Sequence, residues 1–174
     1  MLSMGEEAAR LVVKQCRWTD VAVWEKHSPT GPNRYHEFRF RRQCAGVSTF
    51  LIAWLGEEPV GSTELLWQGA KESPVRARFP GCPEINGLVV VPEHQSRGIG
   101  TALIRTAERL AADRRRHRIG LGASDGNPRA AALYLRLGYQ ETGCHYLDRY
   151  PFIDDQGSVH EMADPSRFLV KRIP

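Results

Sequence analysis

The chain has 174 residues, of which 41% are hydrophobic and 25% are charged. A chain of this length and composition folds as one domain with its own core, which excludes a disordered or fibrous protein. Its net charge of +4 comes from 24 basic and 20 acidic residues, and no nucleic-acid-binding motif accompanies the basic run "DRRRHR" at 113–118. We therefore expect a single domain over residues 1–174 without a nucleic-acid partner.

The sequence carries no clear targeting or metal-binding signal. No apolar stretch approaches the ~18 residues that a membrane span needs, and the N-terminus is acidic where a signal peptide is basic. The four cysteines lie far apart, without a CxxC pair or clustered histidines, which is typical of reduced thiols. These features predict a cytoplasmic protein with no membrane partner and no bound metal.

In chain order, the first half of the sequence predicts a strand, two helices and a hairpin. The β-prone run "LVVKQC" at 11–16 predicts the strand, and Thr19 and Asp20 are typical N-cap residues for the helix after it. A second helix is predicted over 35–44. The segment "STFLIAWLGEEPVGSTELLWQG" then predicts two strands joined at "GEEP".

The second half of the sequence predicts one long loop followed by alternating strands and helices. Three prolines without periodicity predict a loop over 70–83, and the unbroken "LVVV" in the strand at 84–91 is typical of burial on both faces. The remaining predicted elements are a helix over 98–116, a strand "RIGLGAS", a helix in "NPRAAALYLRLGY" that ends at Gly138, and two further strands. The order β-α-α-β-β-β-α-β-α-β-β predicts a mixed α/β sheet.

The stretch "QSRGIG" at 95–100 follows the strand at 84–91 directly and is a candidate phosphate-binding loop. A nucleoside-triphosphate loop of the GxxxxGK type is excluded because no lysine stands near. A dinucleotide fingerprint is disfavoured as well, because Leu103 occupies its third glycine position and Gly120 and Leu121 stand where its acidic residue belongs. An ordinary glycine-assisted helix start remains an alternative.

A third design fits better. The order strand, Q/R-x-x-G-x-G/A, helix resembles the GNAT superfamily of N-acetyltransferases, with Gln95, Arg97, Gly98, Gly100 and Thr101 at matching positions. In that family the backbone amides of the loop hold the pyrophosphate of acetyl-coenzyme A. Glycines suit this task, because main chain without a Cβ can approach anionic oxygens closely. The resemblance covers residues 48–147 and implies a single-domain fold with a mostly antiparallel central sheet flanked by helices.

The resemblance extends to the strand before the loop. Glu84 stands where many relatives have a glutamate that acts as general base, often through water, although an ordinary strand-end carboxylate is the alternative reading. The pair Asn86 and Gly87 suits the bulge at which this strand splays in the family. The amide of Leu88 would then face the thioester carbonyl.

A second signature, N-x-x-A-x-x-x-Y-x-x-x-G-F/Y, resembles "NPRAAALYLRLGY". Asn127 matches the side chain that touches the cofactor, and Tyr134 matches the tyrosine that protonates the leaving thiolate. A plain N-cap for Asn127 and a core tyrosine for Tyr134 are the alternatives. Together, the resemblance implies Glu84 and Tyr134 as catalytic residues and the following acetyl-CoA-binding set: Leu88, Val89, Val90, Gln95, Ser96, Arg97, Gly98, Ile99, Gly100, Thr101, Asn127 and Tyr134.

Other polar residues are weaker candidates. Cys82 lacks a neighbouring histidine in sequence that could activate it as a nucleophile. Arg129 and the arginines at 114–118 are candidates for the 3′-phosphate of the coenzyme, and solvated surface is the alternative. The same alternative applies to five acidic residues that could form a lip for a cationic amine: Glu37, Glu64, Asp148, Asp154 and Asp155.

The resemblance implies an enzyme that transfers an acetyl group from acetyl-CoA to a primary amine by direct attack in a ternary complex. The alternatives are a non-catalytic acyl-CoA sensor and a structural protein that share the fold. The acceptor, a small-molecule amine or a peptide or protein amine, stays open, as does a homodimer of the kind common among relatives.

Overall fold

One seven-stranded sheet organises residues 8–174, the part of the chain that the computed structural model describes. Its strands run in the spatial order β1-β2-β3-β4-β5-β7-β6, and every neighbouring pair is antiparallel except β4 and β5. The predicted mixed, mostly antiparallel sheet is confirmed. The strands are β1 (Leu11–Gln15), β2 (Ser48–Leu55), β3 (Glu58–Leu66), β4 (Glu84–Val90), β5 (Arg118–Ser124), β6 (Gln140–Ile153) and β7 (Val159–Arg172).

Five α-helices cover the sheet in the described residues. They are α1 (Trp18–His27), α2 (Tyr35–Cys44), α3 (Ser73–Arg78), α4 (Ile99–Asp113) and α5 (Pro128–Arg136). Helix α4 packs across β1 to β5 and places Leu103, Ile104 and Ala107 in the core with no exposed surface, as its apolar periodicity predicts. None of the helices in residues 8–174 is long and apolar enough to cross a membrane.

Three boundaries differ from the sequence prediction. Helix α1 begins at Trp18, and Asp20 is its third residue, where the carboxylate accepts the Arg17 N–H at 2.8 Å. Helix α4 ends at Asp113, because the chain turns into a left-handed conformation at Arg115 (φ 56°). The segment 70–83 is not all loop, since helix α3 forms there. Pro74 lies in the first turn of this helix, where the backbone needs no N–H for a helical hydrogen bond.

Strand β4 separates from β5 soon after it begins. The two strands pair only at Glu84 with Gly120 and at Ile85 with Leu121. On its other side β4 continues along β3, with one extra residue at the predicted bulge, where Gly87 has a φ of 62°. The predicted burial of "LVVV" on both faces is therefore wrong, because the residues after the bulge line a gap between the strands and Val89 is 37% exposed.

The hairpin of β6 and β7 extends well beyond the end of β5. Strand β7 pairs with β5 only from Ser166 onwards, whereas β6 and β7 pair with each other out to Ile153 and Val159. We call residues 147–165 the hairpin tip. Asn33, in the connection between α1 and α2, donates to the Ile153 carbonyl at 3.0 Å and accepts the Ile153 N–H at 2.8 Å. The hairpin tip is thus fastened across the gap to the α1–α2 connection.

Candidate active site

Two hollows open on the gap between β4 and β5. The first, here called the loop cleft, has a volume of about 590 Å³. It lies between the end of β4, α5, and residues 94–101, which comprise the loop before α4 and the first residues of that helix and are called the 94–101 loop. The second, here called the hairpin pocket, has a volume of about 710 Å³ and lies between β4, β5, α2, the residues just before α3 and the hairpin tip. The two linings share four residues: Leu88, Asn127, Ala130 and Tyr134. These four residues form the junction of the two hollows.

The loop cleft is built on backbone that turns in unusual conformations. Ser96 and Gly98 have φ values of 61° and 81°, and α4 begins directly after them at Ile99. A Cβ on Gly98 would meet no protein atom within 4 Å, so the loop faces open space there. The Gln95 side chain donates to the Val90 carbonyl at 3.2 Å and ties the loop to the end of β4. Amides at the positive end of a helix bind anions well.

Ten of the twelve residues predicted to bind acetyl-CoA line the loop cleft. They are Leu88, Val90, Gln95, Ser96, Gly98, Ile99, Gly100, Thr101, Asn127 and Tyr134. The other two residues do not line it. Val89 is partly exposed on β4, and Arg97 lies with its Nη1 3.5 Å from Nδ1 of His94.

The structure separates the basic candidates for a phosphate contact. Arg129 lines the loop cleft and donates to the Ser96 hydroxyl at 3.1 Å. The 114–118 run is used for packing, since the Arg114 guanidinium lies 3.7 Å over the Trp67 ring and Arg118 donates to the Pro80 carbonyl at 3.1 Å. Among these candidates, Arg129 alone has the position that a phosphate contact requires.

At the junction, α5 presents both residues of the second signature. The Oδ1 of Asn127 accepts the Ala130 N–H at 3.1 Å, so the N-cap interpretation is correct, and Asn127 also lines both hollows. Tyr134 is 7% exposed, and burial raises the pKa of its hydroxyl above the ordinary value. Its hydroxyl therefore keeps its proton at neutral pH and can donate it.

Glu84 lies at the start of β4 in the wall of the hairpin pocket and is only 3% exposed. Burial raises the pKa of its carboxyl to about 8, and the negative charges of Glu72 and Asp148 act in the same direction. Lys71 and a hydrogen bond from Asn86 oppose this shift. A carboxyl with such a pKa exchanges its proton near neutral pH, as a general base must.

Glu72 and Asp148 extend the acidic side of the hairpin pocket. The Lys71 Nζ lies 3.7 Å from Glu72 and 3.6 Å from Asp148, and burial raises the pKa of the Glu72 carboxyl. We call Glu72, Glu84 and Asp148 the acidic wall. Sequence reasoning missed Glu72, because it precedes helix α3 in a segment interpreted as loop.

Of the five acidic residues considered for a lip, only Asp148 lines the hairpin pocket. Glu64 is fully buried and accepts two hydrogen bonds from Arg42, at 2.8 and 2.7 Å. Glu37 pairs with Arg34, just before its helix, and with Arg41 of the same helix, and Asp154 binds His160 within the hairpin tip. Pairing with basic side chains therefore accounts for three of the five carboxylates.

Arg39 and Arg42 of α2 stand on another wall of the same pocket. The Arg39 side chain is 15% exposed, and its Nε lies 3.8 Å from Oε2 of Glu64. A Cβ on Gly87 would lie 2.5 Å from Nη2 of Arg39, so the guanidinium rests against the bulge of β4. Sequence reasoning missed both arginines, and their i, i+3 spacing on a helix was the signal that could have indicated a shared face.

Cys82, the cysteine nearest to Glu84 in sequence, lies apart from the two hollows. Residues 8–174 contain no group of three His, Cys, Asp or Glu residues that could hold a metal ion. Cys82 is buried beside Phe168 in a separate small cluster, and burial raises the pKa of its thiol to about 11. The Cys82 thiol therefore stays protonated and lies outside both hollows.

Several proteins of known structure share the fold of this chain. The structure matches the ribosomal-protein-S18-alanine N-acetyltransferase of Escherichia coli with a TM-score of 0.65 and 16% identity, covering 94% of each chain. It matches a spermidine/spermine N-acetyltransferase of Vibrio cholerae with a TM-score of 0.64 and 17% identity, over 94% of this chain and 92% of that one. A putative acetyltransferase of Salmonella typhimurium, described with its cofactor acetyl-CoA, matches with a TM-score of 0.61 and 16% identity, over 94% of each chain.

Sequence comparison also matches this chain to acetyltransferases. N-acetyltransferase 8B of Rattus norvegicus is 32% identical over 101 residues, which are 57% of this chain and 42% of that protein. The match thus spans less than half the length of this curated relative. The profile of the acetyltransferase (GNAT) family matches residues 14–139, which include β4, the 94–101 loop and both catalytic candidates. The chain therefore belongs to the GNAT family of acetyltransferases.

Proposed function

We propose that the protein transfers the acetyl group of acetyl-CoA to a primary amine of a small molecule, by direct attack while both substrates are bound. The observation that carries this proposal is the junction, where the loop cleft and the hairpin pocket meet at Leu88 and Tyr134. Two substrates that enter separate hollows would meet there. Acetyl-CoA supplies a thioester whose carbonyl carbon an amine can attack without a covalent enzyme intermediate.

The loop cleft suits acetyl-CoA in shape and charge. The left-handed backbone at Ser96 and Gly98 and the start of α4 direct amides toward an anion, which fits a pyrophosphate. Arg129 adds a positive charge at the same place. On the β5 side, β4 has no strand partner after Ile85, so an extended pantetheine arm can lie along this edge as an added strand would.

Glu84 is the proposed general base. An alkyl amine has a pKa near 10 and must lose a proton before it attacks. The carboxyl of Glu84, with its pKa raised to about 8 by burial, can accept that proton in part of the molecules at neutral pH. Four residues of strand span about 13 Å between Glu84 and Leu88, so the proton travels to Glu84 through water in the hairpin pocket. General-base help of this kind contributes about 10²- to 10⁴-fold.

Leu88 and Tyr134 are proposed to handle the thioester. The Leu88 N–H, freed by the bulge and the separation from β5, donates to the carbonyl oxygen as negative charge develops there. Such a positioned donor contributes about 10²- to 10³-fold. Tyr134 donates its hydroxyl proton to the sulfur as the carbon–sulfur bond breaks. The first proton of the ammonium group thus ends on Glu84. The nitrogen loses its second proton as the tetrahedral intermediate collapses, and this proton returns through water to the tyrosinate.

The enclosure of the hairpin pocket favours a small acceptor. The hairpin tip is fastened to the α1–α2 connection through Asn33, and to the start of α2 through Tyr35, whose hydroxyl donates to the Pro151 carbonyl at 3.1 Å. A folded protein surface would have to displace this connection.

We expect the protein in the cytoplasm, since its four cysteines are unpaired thiols, which suits a reducing compartment.

Calorimetry followed by a thiol-release assay tests the proposal. We expect acetyl-CoA to bind and an amine panel to release free coenzyme A at a rate that depends on the amine. Binding of acetyl-CoA without amine-dependent release would show a sensor instead of an enzyme. Failure to bind acetyl-CoA at millimolar concentration would refute both.

A further inference from the structure

The hairpin pocket carries charges of both signs on different walls. The acidic wall holds Glu72, Glu84 and Asp148 beside Lys71. The wall formed by α2 holds Arg39 and Arg42. An ammonium group without a carboxylate would be attracted by the negative charges of the acidic wall and repelled by the positive charges of the α2 wall.

The charges on the α2 wall do not balance. Glu64 is fully buried, and both of its oxygens already accept hydrogen bonds from Arg42, at 2.8 and 2.7 Å. The Arg39 Nε lies 3.8 Å from Glu64, beyond hydrogen-bond distance. One carboxylate thus faces two guanidinium groups, which leaves one positive charge in excess.

His36, the other polar neighbour of Arg39, does not supply the missing negative charge. Its Nε2 lies 2.8 Å from the Ser28 carbonyl, to which it donates, so Nδ1 is left as an acceptor 3.3 Å from Nη1 of Arg39. Burial lowers the pKa of His36, so its ring is neutral at neutral pH. Tyr35, which also faces Arg39, is an uncharged phenol because burial raises its pKa.

The position of Arg39 connects this excess charge to the reacting point. Its Nη2 rests against Gly87, where any Cβ would lie 2.5 Å away. Gly87 directly precedes Leu88, a junction residue. An anionic group bound by Arg39 would therefore lie close to an amine at the junction. A guanidinium fork matches the two oxygens of a carboxylate.

We infer that the acceptor is a small amino carboxylate, whose carboxylate binds Arg39 and whose ammonium group is thereby held at the junction, where the negative charge of the acidic wall favours it. This inference rests on the proposed function and specifies its substrate class. The hairpin pocket, with a volume of about 710 Å³, has room for a single amino acid or a close analogue. Arg39 is then a specificity-determining residue.

Matched substrate pairs test the inference directly. A panel of L-amino acids is assayed for thiol release, each beside the amine that lacks its carboxylate, such as L-leucine with isopentylamine and L-phenylalanine with phenethylamine. We expect kcat/KM for the best amino acid to exceed that of its amine by roughly 10- to 100-fold, the effect of a charge-assisted bidentate contact. Amines used as well as or better than their amino acids would overturn the inference and leave acetyl transfer intact. No release with any member of the panel would overturn both.

Variants of α2 locate the selectivity. In Arg39→Gln the preference for the amino acid should fall to within about threefold of unity, and Arg39→Lys should keep part of it. Arg41→Gln is the matched control, because Arg41 pairs with Glu37 on the exposed side of the same helix at 2.6 Å. The ratio between paired substrates does not depend on the fraction of folded enzyme. An unchanged ratio in Arg39→Gln would therefore refute the role of Arg39 even if that variant is unstable.

Discussion

Replacing Glu84 by glutamine should make the protein more stable above pH 7 and at the same time less active. In the folded protein burial raises the carboxyl pKa from 4.5 to about 8. Between these values the unfolded chain has released the proton while the folded chain still holds it. The free energy of unfolding therefore falls as the pH rises through this window, and the stabilising contribution of Glu84 is fully present only below pH 4.5.

The rise of the Glu84 pKa from 4.5 to about 8, at ~1.4 kcal/mol for each step of one in pKa, gives an upper limit of about 5 kcal/mol. Because part of this rise comes from the charge of Glu72, whose own carboxyl pKa is raised by burial, we expect about 2 to 5 kcal/mol. Glutamine resembles the protonated carboxyl, so Glu84→Gln and the native protein should have similar stability near pH 5. The difference between them should grow up to about pH 9.

Urea unfolding at several pH values between 5 and 9 measures this difference. Glu37→Gln is the control, because hydrogen bonds from Arg34 hold the pKa of Glu37 below its ordinary value, and that carboxylate stays ionised over the whole range. Its stability difference from the native protein should not widen with pH. Parallel stability curves for Glu84→Gln and the native protein would refute the reasoning from burial.

The activity of Glu84→Gln gives an independent reading of the same carboxyl. In the native enzyme kcat/KM should rise with pH up to about 8, as the carboxyl loses its proton. In Glu84→Gln this acid limb should be flat and the rate lower by about 10²- to 10⁴-fold. An acid limb that survives the substitution would place the base elsewhere.

Three further substitutions and one control separate chemistry, enclosure and coenzyme binding. Tyr134→Phe should lower kcat by one to three decades, with an unchanged acetyl-CoA affinity in calorimetry. Tyr139→Phe is the control, because it removes a hydroxyl that donates to the Glu108 carboxylate at 3.1 Å, away from the junction. It should lower the free energy of unfolding in urea by about 1 kcal/mol and leave the turnover per folded molecule unchanged. Asn33→Ala removes both bonds to Ile153, so KM for the acceptor should rise at least severalfold while acetyl-CoA binds as before. Gly98→Ala strains backbone at a φ of 81° and should raise the acetyl-CoA Kd about tenfold at constant kcat. Equal turnover for Tyr134→Phe and the native enzyme, an unmoved KM for Asn33→Ala, or tight coenzyme binding by Gly98→Ala would each contradict the role assigned here.

The loop cleft could be predicted from the sequence because its parts are local. The glycines of "QSRGIG", the apolar face of α4 and the cap of α5 at Asn127 each leave a signal within a few neighbouring residues. The bulge was expected from the family resemblance, which the pair Asn86 and Gly87 suits, and the structure has it at Gly87. The burial of "LVVV" was misjudged, because apolar side chains that line a cleft have the same pattern as those in a core.

The hairpin pocket could not be predicted, because its charged residues come from segments far apart in the chain. Arg39, Glu72 and Asp148 lie on α2, before α3 and on β6, and no local pattern announces that these elements converge. Glu64 was expected at the surface, since an isolated carboxylate usually is, but β3 buries it against Arg42. Partners of this kind become visible only once the strand order is known.

The junction of two separate hollows also bears on the kinetic order of the proposed reaction. Acetyl-CoA and the acceptor would enter different hollows, and only four residues belong to both linings. Neither substrate blocks the path of the other, so we expect random addition, with coenzyme A competing against acetyl-CoA but not against the acceptor. The acetylated product can leave by its own exit while coenzyme A is still bound, which frees the enzyme from a fixed sequence of release.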